Sequence, residues 1–108
     1  MEMEIRLENL VLGQTINEPK IFDAIEQYVP NGDVFVQGRA KRLWEIVGGM
    51  KKSGKDITLV TVISSLTSYD EDKGVDAGFV VDTTTAAACA SSTHDTTHAK
   101  LMYEKYLL

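Results

Sequence analysis

The sequence predicts an all-α fold: a compact bundle of about six helices, with the chain ending within the last of them. Two observations carry that prediction. Apolar residues recur every three to four positions in successive segments, which is the period of a helix face rather than of a strand. Short polar stretches that stop or start helices separate those segments, among them Val29-Pro30-Asn31-Gly32 and Ser53-Gly54-Lys55-Asp56. With 108 residues, 44% hydrophobic and 25% charged, the chain has the length and composition of one ordinary globular domain with a modest core.

In the first segment Ile5, Leu7, Val11, Leu12, Thr15 and Ile16 recur at helical spacing. Asn17 then reads as a cap and Pro19 as an early helical proline, opening a second helix through Tyr28. Its apolar positions are Ile21, Phe22, Ala24, Ile25 and Tyr28. A third helix, from about Gly38 to Lys52, turns Leu43, Trp44, Ile46, Val47 and Met50 inward. Gly48 and Gly49 inside it each cost ~1 kcal/mol relative to alanine and leave room for another helix to approach closely. Thr58 is placed to cap a short fourth helix carrying Leu59, Val60, Val62, Ile63 and Leu66, although its β-branched residues suit a strand as well.

Thr67 to Val75 is polar and reads as a loop, after which Phe79-Val80-Val81 begins a brief fifth helix or turn. The alanine and threonine run from Thr83 to Ala90 carries little pattern. Ser92 is placed to cap the last helix, with Asp95 completing a capping box, and that helix runs through Leu101, Met102, Tyr103, Tyr106 and Leu107 to the chain end. Stopping inside a helix is the mark of a piece of something longer. Leu12, Ile25, Phe35, Trp44 and Leu59, each on the apolar side of its own segment, are the expected core.

The charge of −5 and the lack of any basic block beyond Arg39, Lys41 and Arg42 make this chain a poor nucleic-acid binder, because such binding depends on a basic surface that displaces counterions. Proteins are the better candidate partners. No apolar run approaches the ~20 residues of a membrane span. MEMEIRLENL is acidic where a signal peptide is basic, and the single Cys89 allows no internal disulfide, so a cytoplasmic location is expected.

Two stretches imitate catalytic motifs. HDTTH, residues 94–98, resembles the H-E-x-x-H helix of zinc peptidases, with His94 and His98 one turn apart. A hydrolytic site also needs a third ligand and a positioned base. Asp95 is one methylene shorter than the usual glutamate and has a simpler task at a helix start, so no catalytic or metal role is assigned. GMKKSGKD, residues 49–56, matches the phosphate loop G-x-x-x-x-G-K-[ST] except at Asp56, which would set negative charge where magnesium needs a hydroxyl. An amphipathic helix, not a buried strand, precedes it. The plainer reading is a helix end with lysines near its negative pole and a glycine stop. Neither ATP hydrolysis nor appreciable binding of single-stranded DNA is expected.

Taken in order, a series of short pieces carries a family resemblance. Glu8, Val11, Leu12 and Gly13 form E-x-x-V-L-G, followed by the Pro19 to Tyr28 helix, Asp33-x-Phe35, Leu43-Trp44-Glu45, Ser53-Gly54, Ile57-x-Leu59-Val60-Thr61, Gly78-Phe79, Ser91 and Ala99. This order and spacing resemble the N-terminal domain of the DnaB-type replicative DNA helicase over almost the whole chain. Thr58 stands where the family usually has a capping aspartate, and Ala40 where histidine is common. Asp76 to Ala90 departs most. His94 and His98 fall where the family tends to have asparagine and tyrosine, positions with no metal role.

The resemblance implies a single helical head domain over residues 1–108, with the linker hairpin and ATPase motor lying outside it. It implies an assembly and protein-docking role in DNA replication: self-association as a weak dimer here and a hexamer in the parent, with primase and a helicase loader as partners. The chain itself would be no enzyme and hold no cofactor, while the parent would be an ATP-dependent helicase using ATP and magnesium. Leu101, Met102, Tyr103, Tyr106, Leu107 and Leu108 are the expected interface, on apolarity and position. The competing reading is a stand-alone helical adaptor or helicase-loading factor of a phage or plasmid, and a small metalloenzyme is the third.

Overall fold

Helix α1 (Glu2–Asn17) occupies the middle of the fold, surrounded by α2 (Phe22–Glu26), α3 (Gly38–Lys52), α4 (Leu59–Ser64), α6 (Ala77–Cys89) and α7 (Thr97–Leu107), with the short α5 (Ser68–Asp72) outside them. The computed structural model describes residues 2–29, 33–89 and 96–107, with side chains from residue 5 onward. Among the described residues there are seven α-helices and no strand. The sequence reading of about six helices omitted α5.

Every residue of α1 from Val11 to Ile16 is buried. An amphipathic stripe accounts for Val11, Leu12, Thr15 and Ile16; Gly13 is buried for a different reason. A Cβ built on Gly13 would lie 1.9 Å from the Thr83 carbonyl oxygen and 2.7 Å from the Ala87 Cβ. Only glycine lets the α1 and α6 backbones meet this closely. Asn17, expected to cap the second helix, is instead the last residue of α1, and its Nδ2 donates to the Thr84 carbonyl across the same crossing at 3.0 Å.

The stretch after Asn17 begins as a 3₁₀ turn (Pro19–Ile21), with Pro19 in the first turn where its missing N–H costs nothing. The α-helix that follows stops at Glu26, short of the expected Tyr28. Tyr28 N and Val29 N bond back to Ile25 and Glu26, three residues earlier, which tightens the last turn. Phe22 from this segment stacks on Trp44 of α3 at 4.8 Å between centroids, and Phe35 meets the indole in a tilted contact at 5.9 Å. Leu12, Ile25, Phe35 and Trp44 are buried as expected. Leu59 is half-buried at the edge of the core, because α4 turns Val62 inward and leaves Val60 71% exposed.

Helix α3 has the predicted ends, and its stop is a glycine motif. Gly54 adopts φ +73°, Gly54 N bonds to the Lys51 carbonyl and Lys55 N to the Met50 carbonyl, satisfying carbonyls that the helix end would leave open. Helix α4 begins with the expected Thr58 cap: Thr58 Oγ1 accepts from Thr61 N at 3.1 Å and Thr61 Oγ1 accepts from Thr58 N at 2.8 Å.

Two readings of the second half need correction. Thr67 to Val75 is not a loop throughout, since α5 lies within it, started by a Thr67–Asp70 capping box. The brief element at Phe79 is a 13-residue helix, α6, running through the alanine and threonine run. Asp76 Oδ1 accepts from Phe79 N at its start. Phe79, Val80, Thr83, Thr84 and Ala87 form one buried stripe. The threonines fit there because Thr83 and Thr84 donate their hydroxyls to the Val80 and Val81 carbonyls, leaving methyl groups to pack.

Asp70 also ties α5 to α3. It is 1% exposed, and its Oδ1 accepts from Arg42 Nε at 2.7 Å while Oδ2 accepts from the Thr67 amide and hydroxyl. The bond from Arg42, followed by the Thr67 amide, holds the Asp70 carboxyl below its ordinary range despite burial, which acts the other way. A depressed native pKa means that the stabilisation is complete above the unfolded-state value of ~3.9 and is lost as pH falls through the native one. Asp70→Asn should therefore flatten the acid limb of the stability curve below about pH 4. Denaturant midpoints measured down that limb check this, and an equally steep fall in the variant would exclude Asp70 as its source.

Candidate docking surface

Helix α7 divides its apolar residues between two sides. Met102 is buried and Ala99 fully so, both turned onto the core. Tyr103 is half-buried, with its ring 6.1 Å from Tyr28 and 6.4 Å from Tyr106. Leu101, Tyr106 and Leu107 face outward, 40%, 53% and 62% exposed. Of the residues expected at an interface, three are thus available at the surface, Met102 and Tyr103 serve the fold, and Leu108 lies outside the described residues.

Beside Tyr106 opens a cavity of about 250 Å³ between α1, the 33–36 segment and α7. Phe35, Leu7 and Met102 line it, Lys105 and Tyr106 flank it from α7, and Val36, 57% exposed, stands on the opposite side. A pocket of this volume accommodates one large side chain. The apolar surface of α7 therefore continues across the cavity to Val36, which sequence reasoning missed. The signal was present in Val34-Phe35-Val36, an apolar run with Val34 and Phe35 buried and Val36 left over on the outside.

Glu8 holds that segment in place. It is fully buried, and its carboxylate accepts from Val36 N, from Gln37 N at 3.1 Å and from Gln37 Nε2 at 3.1 Å. Gln37 is the N-cap of α3 and offers no side-chain cap of its own, so a carboxylate borrowed from α1 takes amides at the positive end of the helix. This gives the Glu8 of E-x-x-V-L-G a physical role: it fixes the α3 start and one wall of the cavity together. Its place one turn before Leu12, on the buried side of α1, was visible in the sequence as an acid on an apolar stripe.

The imitated motifs resolve locally. Lys51 and Lys52 lie in the last turn of α3, and Gly54-Lys55 forms its glycine stop, with no strand before it. His98 is half-buried on α7, whereas Ser92, His94 and Asp95 lie outside the described residues. Cys89 is exposed at the end of α6. Among the described residues no three His, Cys, Asp or Glu side chains gather as a metal site would need, and no helix is long and apolar enough to cross a membrane.

The model of the DnaB-like helicase N terminal domain matches residues 1–104. Neither curated proteins nor solved structures give a significant match. The family match spans nearly the whole chain, and the described residues are all helical. This chain belongs to the DnaB-like helicase N terminal domain family, a non-catalytic domain of helicases.

Proposed function

We propose that this chain is the assembly and protein-docking head of a replicative DNA helicase, contributing to the collar of the ring and offering a surface to primase or a loader. The observation that carries the reading is the exposed Tyr106 beside the cavity reaching Val36, with Leu101 and Leu107 exposed on the same helix. Apolar surface of this kind, rimmed by Lys105 and Asp33, favours association with another protein. ATP and magnesium belong in this reading to a motor carried elsewhere in the parent, which works in the cytoplasm.

Weak dimerisation at high concentration is the expected behaviour of the chain alone. Tyr106→Ser with Leu107→Ser removes two exposed side chains and no core residue, so it should shift the protein toward monomer while helix content is retained. Sedimentation equilibrium over a concentration series checks this. A dimer of unchanged strength would place the contact elsewhere, and a parent that stays monomeric throughout would remove the self-association part of the reading.

A further inference from the structure

The middle of α3 carries two glycines that the fold does not use. A Cβ on Gly49 would meet nothing within 4 Å, and one on Gly48 would meet only the Phe22 ring tip at an ordinary 3.6 Å. Alanine would thus fit at both positions and would make the better helix. At Gly13, by contrast, the chain's own packing requires glycine. The two missing side chains form the floor of a groove of about 490 Å³ between α2 and α3, walled by the stacked Phe22 and Trp44 and edged by Glu26, Arg42, Glu45 and Lys52.

The charges along this groove are self-complementary. Glu45, the glycine pair and Lys52 lie three to four residues apart and so share one face of α3. Glu45 is three residues before Gly48 and Lys52 is three after Gly49, and both side chains are exposed. A two-fold axis passing between the glycines therefore sets Glu45 of each copy opposite Lys52 of the other, in antiparallel helices whose backbones can approach where no side chain intervenes. Within the chain Glu45 reaches only Arg42, at 3.8 Å on the surface, and Arg42 is already committed to Asp70 at 2.7 Å.

The geometry points to the Gly48–Gly49 groove of α3 as a second self-association face, whose occupant is the same groove of a second copy, crossed antiparallel with two Glu45–Lys52 pairs. This face shares no lining residue with the cavity beside α7 and does not depend on the reading given to α7.

The test is a charge exchange made in the Tyr106→Ser, Leu107→Ser background, which weakens the α7 contact. Glu45→Lys alone and Lys52→Glu alone each set like charges opposite one another at both pairs, and each should weaken self-association about tenfold. Mixed in equal amounts, the two variants restore both pairs in the heterodimer and should associate at least as tightly as the background protein. Gly49→Leu, whose Cβ meets no atom within 4 Å and whose side chain fills the groove, should keep the fold and lose the dimer. Sedimentation equilibrium reads all three, with circular dichroism as the check on folding. Equal association of the single variants, the mixture and the background would overturn the inference, as would a background protein that never associates or a Gly49→Leu protein that still dimerises.

Discussion

Trp44→Ala should lower the unfolding free energy by about 3–5 kcal/mol, comparable with the whole stability of a small domain. Trp44 is 4% exposed and sits between Phe22 and Phe35, so truncation leaves two rings facing a void and removes both aromatic contacts. The neighbours cannot easily close the gap: Phe22 is fixed by the 3₁₀ turn at Pro19–Ile21, and Phe35 by the segment that Glu8 pins to α1. Urea titration of the variant against the parent measures the loss. Tryptophan emission at the wavelength of indole in water, together with a normally folded variant, would show that the indole is not where α3 places it.

Gly13→Ala should be nearly as costly, on the order of 3 kcal/mol, although it adds a single methyl group and improves helix propensity. The obstacle is the Thr83 carbonyl, 1.9 Å from the new carbon, which is backbone and cannot swing aside. The α1–α6 crossing must open, and the Asn17 to Thr84 bond at 3.0 Å opens with it. Gly49→Ala is the natural comparison, since it meets no neighbour and should stabilise the isolated domain by ~1 kcal/mol. Opposite signs in thermal melts of the two variants are the expected result; equal shifts would contradict the close crossing.

Helices with a strong apolar period were legible in the sequence, and α3 shows why. Its glycine stop is local chemistry, and its buried face repeats at the helical period. Helix α5 was not, and α6 only at its start around Phe79, for separate physical reasons. Asp70 caps α5 locally through Thr67, but what anchors this five-residue helix is the partner Arg42, 28 positions away, and no local pattern announces that pairing. Helix α6 hides its stripe in threonine and alanine, residues whose burial depends on hydroxyls bonding to their own helix and on a glycine in a distant one. The candidate surface was half legible. The apolar residues of α7 could be read from the sequence, but their division into inward Met102 and outward Tyr106 depends on how α7 is rotated against α1, and Val36 joins them only through the fold.

The central position of α1 sets an order of events during synthesis. Its buried flank is completed by α6 and α7, which are made well after it, and the Asn17 to Thr84 bond spans 67 residues. At ~5–20 residues per second, α1 waits roughly 3–15 s before its partner leaves the ribosome. For that interval α1 lacks the cover that α6 gives it at Gly13 and Asn17, so a largely apolar helix stands open before its partner exists. Among the described residues the fold is all helical, yet its central helix depends on a partner far along the chain, as the strands of a β-protein do.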